Sequence, residues 1–338
     1  MMAADCRPPV DDWGRRSRTR VDRQGLMLVR RQWLAHNSIT RETDPRTISA
    51  AEQTGFVLHS LCPMQAAETA AVPTLEASEV GSVRPPLKWA GGKRWQLPHL
   101  RPLWENAPSS RLVEPFSGGL AVALGLSPSR ALLNDINPHL VNFYRQLKRG
   151  LRITIELANQ SDAYYASRRR FNDLLAAGKG TTAEAASLFY YLNRTGYNGL
   201  CRFNRSGEFN VPFGRYKTIS YTTDFAAYRR VFAGWDLTNQ DFETLGLQPD
   251  DFVYADPPYD VPFTHYATRG FSWDDQVRAA EWLARHRGPV VLSNQATLRI
   301  VKLYKALGFS VQYLKAPRMI SCTGDRTPAR EVLATRHI

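Results

Sequence analysis

From Pro85 onward the chain alternates short apolar runs with amphipathic stretches, the pattern of strands linked by helices. Leu112-Val113-Glu114-Pro115-Phe116 reads as a strand, Ser117-Gly118-Gly119 as a tight turn, and Leu120 to Leu126 as the start of a helix. Ala131 to Asp135 is a second strand and ends in a carboxylate. Asn137-Pro138 then opens an amphipathic helix through Lys148, with Leu140, Phe143, Tyr144 and Leu147 on one face. Together these make a βαβ unit with a glycine turn after its first strand and an acid after its second. From about Leu151 to Trp235 the rhythm breaks, helical at first and then rich in Asn, Arg, Gly and aromatics between Asn193 and Tyr221, as an insertion would be. The alternation resumes at Trp235 to Phe242. Asp251 to Ala255 reads as a buried strand that Pro257 and Pro258 forbid from continuing. A helix across Trp273 to Arg287, a strand over Pro289 to Asn294, and a hairpin-like end at Ser310 to Leu314 and Glu331 to Thr335 complete the pattern.

The first 84 residues have no such period. They hold an Arg-rich patch at Arg15 to Arg23 and an Ala, Thr and Glu-rich stretch at Gln65 to Ser82, and are expected to be poorly ordered. Two uses are open for them: a basic arm on DNA, or a dispensable extension, with Met64 as an alternative start. They carry 11 Arg, no Lys and 10 acidic residues, so nearly all of the net charge of +13 lies beyond them. That excess points the α/β part toward a polyanion, nucleic acid first. The four cysteines (Cys6, Cys62, Cys201 and Cys322) are far apart, which supports neither a zinc site nor a disulfide framework; free thiols in a reducing cytoplasm, and no bound metal, are expected. No run is long enough to span a membrane.

Asp256-Pro257-Pro258-Tyr259 concentrates the chemistry. A rigid turn at the carboxyl end of a strand, where open α/β sheets bind ligands, offers acceptors beside an aromatic face, an edge that suits an exocyclic amino group. Upstream, Phe116-Ser117-Gly118-Gly119 lets backbone amides approach a small polar ligand, and Asp135 is placed to accept both hydroxyls of a ribose. Leu120 follows the glycines where a dinucleotide fingerprint would need another, and no Gly-x-x-x-x-Gly-Lys-Ser/Thr loop exists. An adenosine cofactor without a pyrophosphate, S-adenosylmethionine, fits better than NAD or ATP. Lys88-Trp89-Ala90-Gly91-Gly92-Lys93 adds an indole and two cations, with core packing an equal alternative for Trp89. Gln240-Asp241-Phe242 reads either as an adenine contact or as a strand end with a buried Phe.

The order of Lys88-Trp89-Ala90-Gly91-Gly92-Lys93, Glu114-Pro115-Phe116, Asn134-Asp135-Ile136-Asn137 and Asp256-Pro257-Pro258-Tyr259 resembles the Dam-type DNA adenine N6-methyltransferases, from Pro86 to about Leu333. The most specific part is Tyr191-Leu192-Asn193-Arg194-Thr195-Gly196-Tyr197-Asn198-Gly199-Leu200-Cys201-Arg202-Phe203-Asn204, continuing through Gly207 to Tyr216, which is the DNA-reading hairpin in that family. The resemblance implies a mixed sheet with helices on both faces, made of 85–150 and 236–338, and an inserted helical target-recognition domain at 151–235. It implies that Trp89, Lys93, Asp135 and Asp256 contact S-adenosylmethionine, with Phe116, Gly118, Asp241 and Phe242 around them. Leu120 departs from relatives that carry a second turn glycine.

Amino-group chemistry sets its own demands. The adenine amino nitrogen is delocalised into its ring and hidden in the duplex, so the base must be flipped out, and Tyr259 offers it a stacking face. Asp256 and the Pro257 carbonyl would accept its two hydrogens, and direct transfer needs no cysteine nucleophile. In the hairpin, Arg202 has the reach to pair with guanine, and Leu200 and Pro212 can pack on a thymine methyl. By resemblance the site is GATC, Lys88 contacts its first guanine, and Tyr197 and Asn198 wedge into the space the base leaves. Arg215 and Tyr216 are expected on phosphates. RNA adenine, cytosine N4 and a protein glutamine remain alternative acceptors, though Asp rather than Ser or Asn at 256 favours adenine. A catalytically silent DNA-binding module is the reading from another class. Double-stranded DNA is the expected partner and a monomer the expected state.

Overall fold

The computed structural model describes residues 83–260, 270–317 and 329–338, all within the compact unit Pro73–Ile338. The expectations for the front extension up to Ser82, and for Cys6, Cys62 and Cys322, lie outside the described residues.

In chain order the elements are α1 (Leu97–Asn106), β1 (Leu112–Glu114), α2 (Ala121–Leu126), β2 (Ala131–Asn134), α3 (Pro138–Arg149), α4 (Ser161–Ala176), α5 (Ala183–Thr195), α6 (Ala226–Val231), β3 (Trp235–Thr238), β4 (Phe252–Ala255), α7 (Trp273–Ala284), β5 (Val290–Gln295), α8 (Leu298–Ala306), β6 (Ser310–Ala316) and β7 (Ala329–Arg336). The strands form one mixed sheet in the order β3-β2-β1-β4-β5-β7-β6, with the first five parallel and β7 antiparallel to both neighbours. The hairpin-like end therefore exists, with β7 slotted between β5 and β6.

Both faces of the sheet are buried, and the period of two along each strand divides them. Leu112, Leu133, Phe252, Tyr254, Val291 and Leu333 face one core, with residues of α1, α2, α3 and α5. Val113, Leu132, Val253, Ala255, Leu292 and Val332 face the other, with α7 and α8. The inserted helices join the first core, since Tyr164, Phe171, Phe189 and Tyr190 pack there with Phe143 and Leu147 of α3. Phe143 and Tyr190 stack at 5.6 Å.

Local signals account for most of the boundaries. Asn137 caps α3 by accepting from the amides of His139 and Leu140, Pro138 occupies its first turn, and Gly150 closes it at φ 89°. Ser272 and Asp275 form a reciprocal capping box at α7. Two helices go beyond the sequence reading. Helix α1 continues through Pro102, a residue that costs about 3 kcal/mol inside a helix, because Leu100 is fully buried and Leu97, Leu103 and Trp104 pack on the same core. Helix α8, capped by Thr297, was not assigned in advance.

Candidate active site

Strand β4 delivers Asp256 to the carboxyl edge of the sheet, and the two prolines turn the chain away from it. Asp256 Oδ2 lies 3.0 Å from Nζ of Lys93, which also donates to the Gly91 carbonyl at 2.8 Å and sits 4.5 Å from the centre of the Tyr259 ring. Lys93 is 4% exposed, so this cation belongs to the site rather than to the solvent. The other oxygen of Asp256, Oδ1, is buried with no hydrogen-bond partner among the described residues, and so is the Tyr259 hydroxyl. Burial pushes the Asp256 carboxyl up to about 6, against the pull of Lys93. Burial also raises Tyr259 above the usual tyrosine range, so its hydroxyl stays protonated.

A second layer of buried polar groups holds this turn. Gln276 of α7 donates to the Pro258 carbonyl at 2.6 Å and accepts from Asn294 Nδ2 at 2.9 Å. Beneath β4, Gln96 accepts from the Tyr254 hydroxyl and donates to Ser293 Oγ and Glu331 Oε2, at 2.9–3.0 Å. None of these residues was singled out in the sequence. The available signal was the polar pair Ser293-Asn294 ending an otherwise apolar strand.

The neighbouring part of the sheet's carboxyl edge is built by β1 and β2. Asn134, 1% exposed, ties the strand ends together by donating to the carbonyls of Pro115 and Gln240 and accepting from the Gln240 amide. Asp135 Oδ2 accepts from the Gly118 amide at 3.0 Å and Oδ1 from the Asn137 amide at 2.9 Å. Each oxygen keeps a lone pair for a hydroxyl. Trp89 packs on the glycine turn: a Cβ on Gly118, at φ 45°, would lie 2.8 Å from the Trp89 indole nitrogen. Trp89 is thus both a wall of the turn and a core-packing residue. Leu120 adopts the left-handed region at φ 59° and is fully buried, so burial of its side chain outweighs a backbone cost of about 1–2 kcal/mol.

Two further residues stand out here. Glu114 is buried with Oε1 unpartnered among the described residues, and burial holds its carboxyl well above the usual range. Ile136, beside Asp135, is 65% exposed, an unusual setting for isoleucine. By contrast Phe242 is core, 4% exposed, against Phe116 at 5.3 Å and Trp282 at 5.7 Å. Asp241 caps the turn after it and holds Arg278 through both oxygens. Phe242 is therefore buried, with Phe116, half-buried, nearer the surface.

The hairpin segment begins inside α5 and runs out into a loop closed by antiparallel bridges Gly196 to Phe213 and Phe203 to Phe209. Tyr197, Asn198, Pro212 and Arg215 are exposed, Leu200 half-buried. Lys88 is docked onto this segment. Its amide donates to Asn193 Oδ1, its carbonyl accepts from Asn193 Nδ2, and its Nζ donates to the Arg194 carbonyl at 2.9 Å. Gly199, at φ 62°, permits the approach, since a Cβ there would lie 2.3 Å from Lys88 Cβ. Burial, with Arg194 nearby, lowers Lys88 to about 8. The Tyr216 hydroxyl donates to the Gly196 carbonyl at 3.1 Å, and its ring centre lies 3.6 Å from Lys88 Nζ. Cys201 is half-buried and accepts from Asn137 Nδ2 at 3.3 Å, with its thiol pushed up to about 12 by desolvation, which suits packing and not nucleophilic attack.

Residues 89–320 match the family described as D12 class N6 adenine-specific DNA methyltransferase. The chain is similar to the retron Ec67 DNA adenine methylase of Escherichia coli, 39% identical over 268 residues that cover 73% of this chain and 90% of the relative. It is 37% identical over 271 residues to the DNA adenine methylase of Vibrio cholerae serotype O1, covering 73% and 94%. To that of Salmonella typhimurium it is 36% identical over 269 residues, covering 73% and 93%.

Proposed function

Because the chain belongs to the D12 class of N6 adenine-specific DNA methyltransferases, which methylate DNA from S-adenosylmethionine, we propose that Asp256, Pro257 and Tyr259 hold the adenine amino group and that GATC is the sequence read. The observation carrying the first part is Asp256 Oδ1, a buried acceptor without a partner among the described residues at the end of β4, beside an aromatic face. Buried unpaired acceptors are costly and rare, and an exocyclic amino group satisfies this one.

The site also fits the cofactor. Glu114 Oε1 and the Lys93 ammonium offer an acceptor and a cation for the ammonium and carboxylate of an amino acid. Asp135 retains capacity for ribose hydroxyls, and exposed Ile136, with Phe116, offers apolar surface for a purine. Trp89 and Gly118 form the adjoining wall. When bound, S-adenosylmethionine supplies an electrophilic methyl group. Asp256 Oδ1 and the Pro257 carbonyl accept the two amino hydrogens, which draws the nitrogen toward tetrahedral geometry and turns its lone pair out of the ring. Tyr259 stacks on the flipped base, returning roughly 1–3 kcal/mol of the flipping cost. As the nitrogen is alkylated it sheds a proton, and the Asp256 carboxyl, near 6, is placed to take it.

For recognition, the reading is that residues 151–235 act as the target-recognition domain. Lys88 and Arg202 address guanines, Leu200 and Pro212 pack on thymine methyls, Tyr197 and Asn198 fill the vacated stack, and exposed Arg215 grips a phosphate. Tyr216 supports Lys88 from below. With DNA as the substrate, the proposed location is the cytoplasm, on the chromosome, and one subunit carries every group named, which supports a monomer. No described helix is long and apolar enough to cross a membrane. Tritiated methyl transfer to duplexes that do or do not contain GATC tests the specificity; equal incorporation into both would refute it.

A pH profile follows from the carboxyl. Asp256 can take the departing proton, and offers both oxygens purely as acceptors, only when ionised, so kcat/KM should fall on the acid side with a midpoint near 6, and Lys93→Met should move that midpoint upward. A profile flat from pH 5 to 8 would contradict the role. The same shift means that ionising Asp256 opposes folding: its contribution to stability is present below roughly 4 and lost as pH rises through about 6.

A further inference from the structure

Arg202 does not reach out from the hairpin unaided. Its Nε donates to Asn210 Oδ1 at 2.7 Å and its Nη2 to the Asn210 carbonyl at 3.2 Å, while the Asn210 amide donates back to the Arg202 carbonyl at 3.1 Å. Among the described residues Arg202 makes no other side-chain hydrogen bond. A guanidinium has two forked edges, and this pairing takes the Nε/Nη2 side and leaves the Nη1/Nη2 end.

Asn210 is itself fixed. Its neighbours Phe209 and Val211 are buried, so alternation along this extended run turns Asn210 alone toward Arg202. Asn172 of α4 pairs with both the amide and the carbonyl of Phe209, at 2.8 and 3.2 Å. The Val211 carbonyl accepts from the Tyr164 hydroxyl and Arg168 Nη1, at 3.0 and 3.1 Å. The backbone on either side of Asn210 is thereby bolted to a helix.

We propose that Asn210 is a positioning residue for sequence discrimination: it grips the Nε/Nη2 side of Arg202 so that the Nη1/Nη2 end stands ready for the O6 and N7 of a guanine. This rests on Arg202 being the base reader. A long arginine otherwise spends rotamer freedom on every correct encounter, whereas a clamped fork meets the right base already ordered and meets a wrong base with its donors unpaired. Discrimination, more than affinity, is what the clamp supplies.

The test is methylation, by each variant, of duplexes carrying GATC and duplexes with one base pair of the site replaced. The ratio of rates from one preparation does not depend on how much of that preparation is folded. Asn210→Ala should lose about tenfold of discrimination at the base pair that Arg202→Ala relaxes, and little at the others. The double variant should be no less discriminating there than Arg202→Ala alone. Asn210→Asp keeps an oxygen acceptor in place and should keep the ratio even where its charge slows all duplexes alike. If Asn210→Ala slows every duplex by one factor and leaves the ratios intact, Asn210 is a phosphate or structural contact and the proposal is wrong. If Arg202→Ala leaves the ratios intact, the base-reading role of Arg202 has failed first, and the clamp falls with it.

Discussion

Asp256→Ala should lower kcat by about 10³-fold, the loss expected when an acceptor or donor aimed at the developing transition state is removed from a water-poor site. The side chain makes two commitments. One oxygen pairs with Lys93 at 3.0 Å and the other, buried and unpartnered, is the atom we assign to the amino group. Alanine deletes both, leaving the Lys93 ammonium with the Gly91 carbonyl as its remaining partner. Some loss of stability must therefore accompany the loss of rate, and Asp256→Asn separates them by keeping the volume and one neutral acceptor. Both variants should retain DNA binding, since the hairpin and Lys88 do not contact this carboxylate. Single-turnover rates beside DNA affinity by fluorescence anisotropy provide the check. Turnover within tenfold of the parent would remove Asp256 from the chemistry.

How much of this was readable follows from how local each signal is. Asn137-Pro138 announced α3 because cap and first turn are adjacent residues, and Asp256-Pro257-Pro258 marked a strand end because proline acts on its own backbone. The strand reading of β1, β2, β4 and β5 matches the structure because parallel strands covered on both faces are mostly apolar. What failed to show were partners that meet only in three dimensions. Gln96 and Glu331 are 235 positions apart, and Lys88 and Asn193 are 105 apart. No spacing in the chain reveals that Asn193 clasps Lys88, or that Gln276 supports the Pro258 carbonyl. The path through Leu120 was open for a different reason: a buried leucine at positive φ is a compromise between backbone and core that neither preference alone predicts.

Two groups of buried polar residues differ in how far they are satisfied. At the carboxyl edge of the sheet, Glu114, Asp256 and Tyr259 each leave an atom unpartnered among the described residues. At the opposite edge, Arg111 and Asp251, just before β1 and β4, satisfy each other. Arg111 Nε and Nη2 reach the two carboxylate oxygens at 2.8 and 2.6 Å, and Nη2 also donates to the Gly246 carbonyl at 3.1 Å. Asp251 Oδ2 takes the Gln248 amide as well, and the Asp251 carbonyl accepts from His286 Nε2 at 2.9 Å. Three unpartnered atoms thus cluster at the candidate site, while Ser109 Oγ, Asn159 Oδ1 and Arg194 Nε lack partners elsewhere among the described residues, so an open atom points to a ligand only together with its surroundings.

Breaking that closed pair should have the largest effect on stability. Asp251→Ala leaves a guanidinium whose side chain is 10% exposed without its counter-ion and frees the Gln248 amide, a loss of about 3–5 kcal/mol. Against the 5–15 kcal/mol by which a typical domain is stable, that is a third or more of the whole. The magnitude comes from stranding the charge and not from the attraction of the pair, because two ions withdrawn from water recover little more in the protein than they lost. Replacing both partners with apolar residues, Arg111→Met with Asp251→Leu, should accordingly be far less damaging than Asp251→Ala alone. Urea unfolding of the three proteins measures this directly, and a double variant as unstable as the single would assign the loss to packing instead. Since the pair lies at the far ends of β1 and β4, the folded fraction of each variant should methylate DNA at the parental rate per molecule.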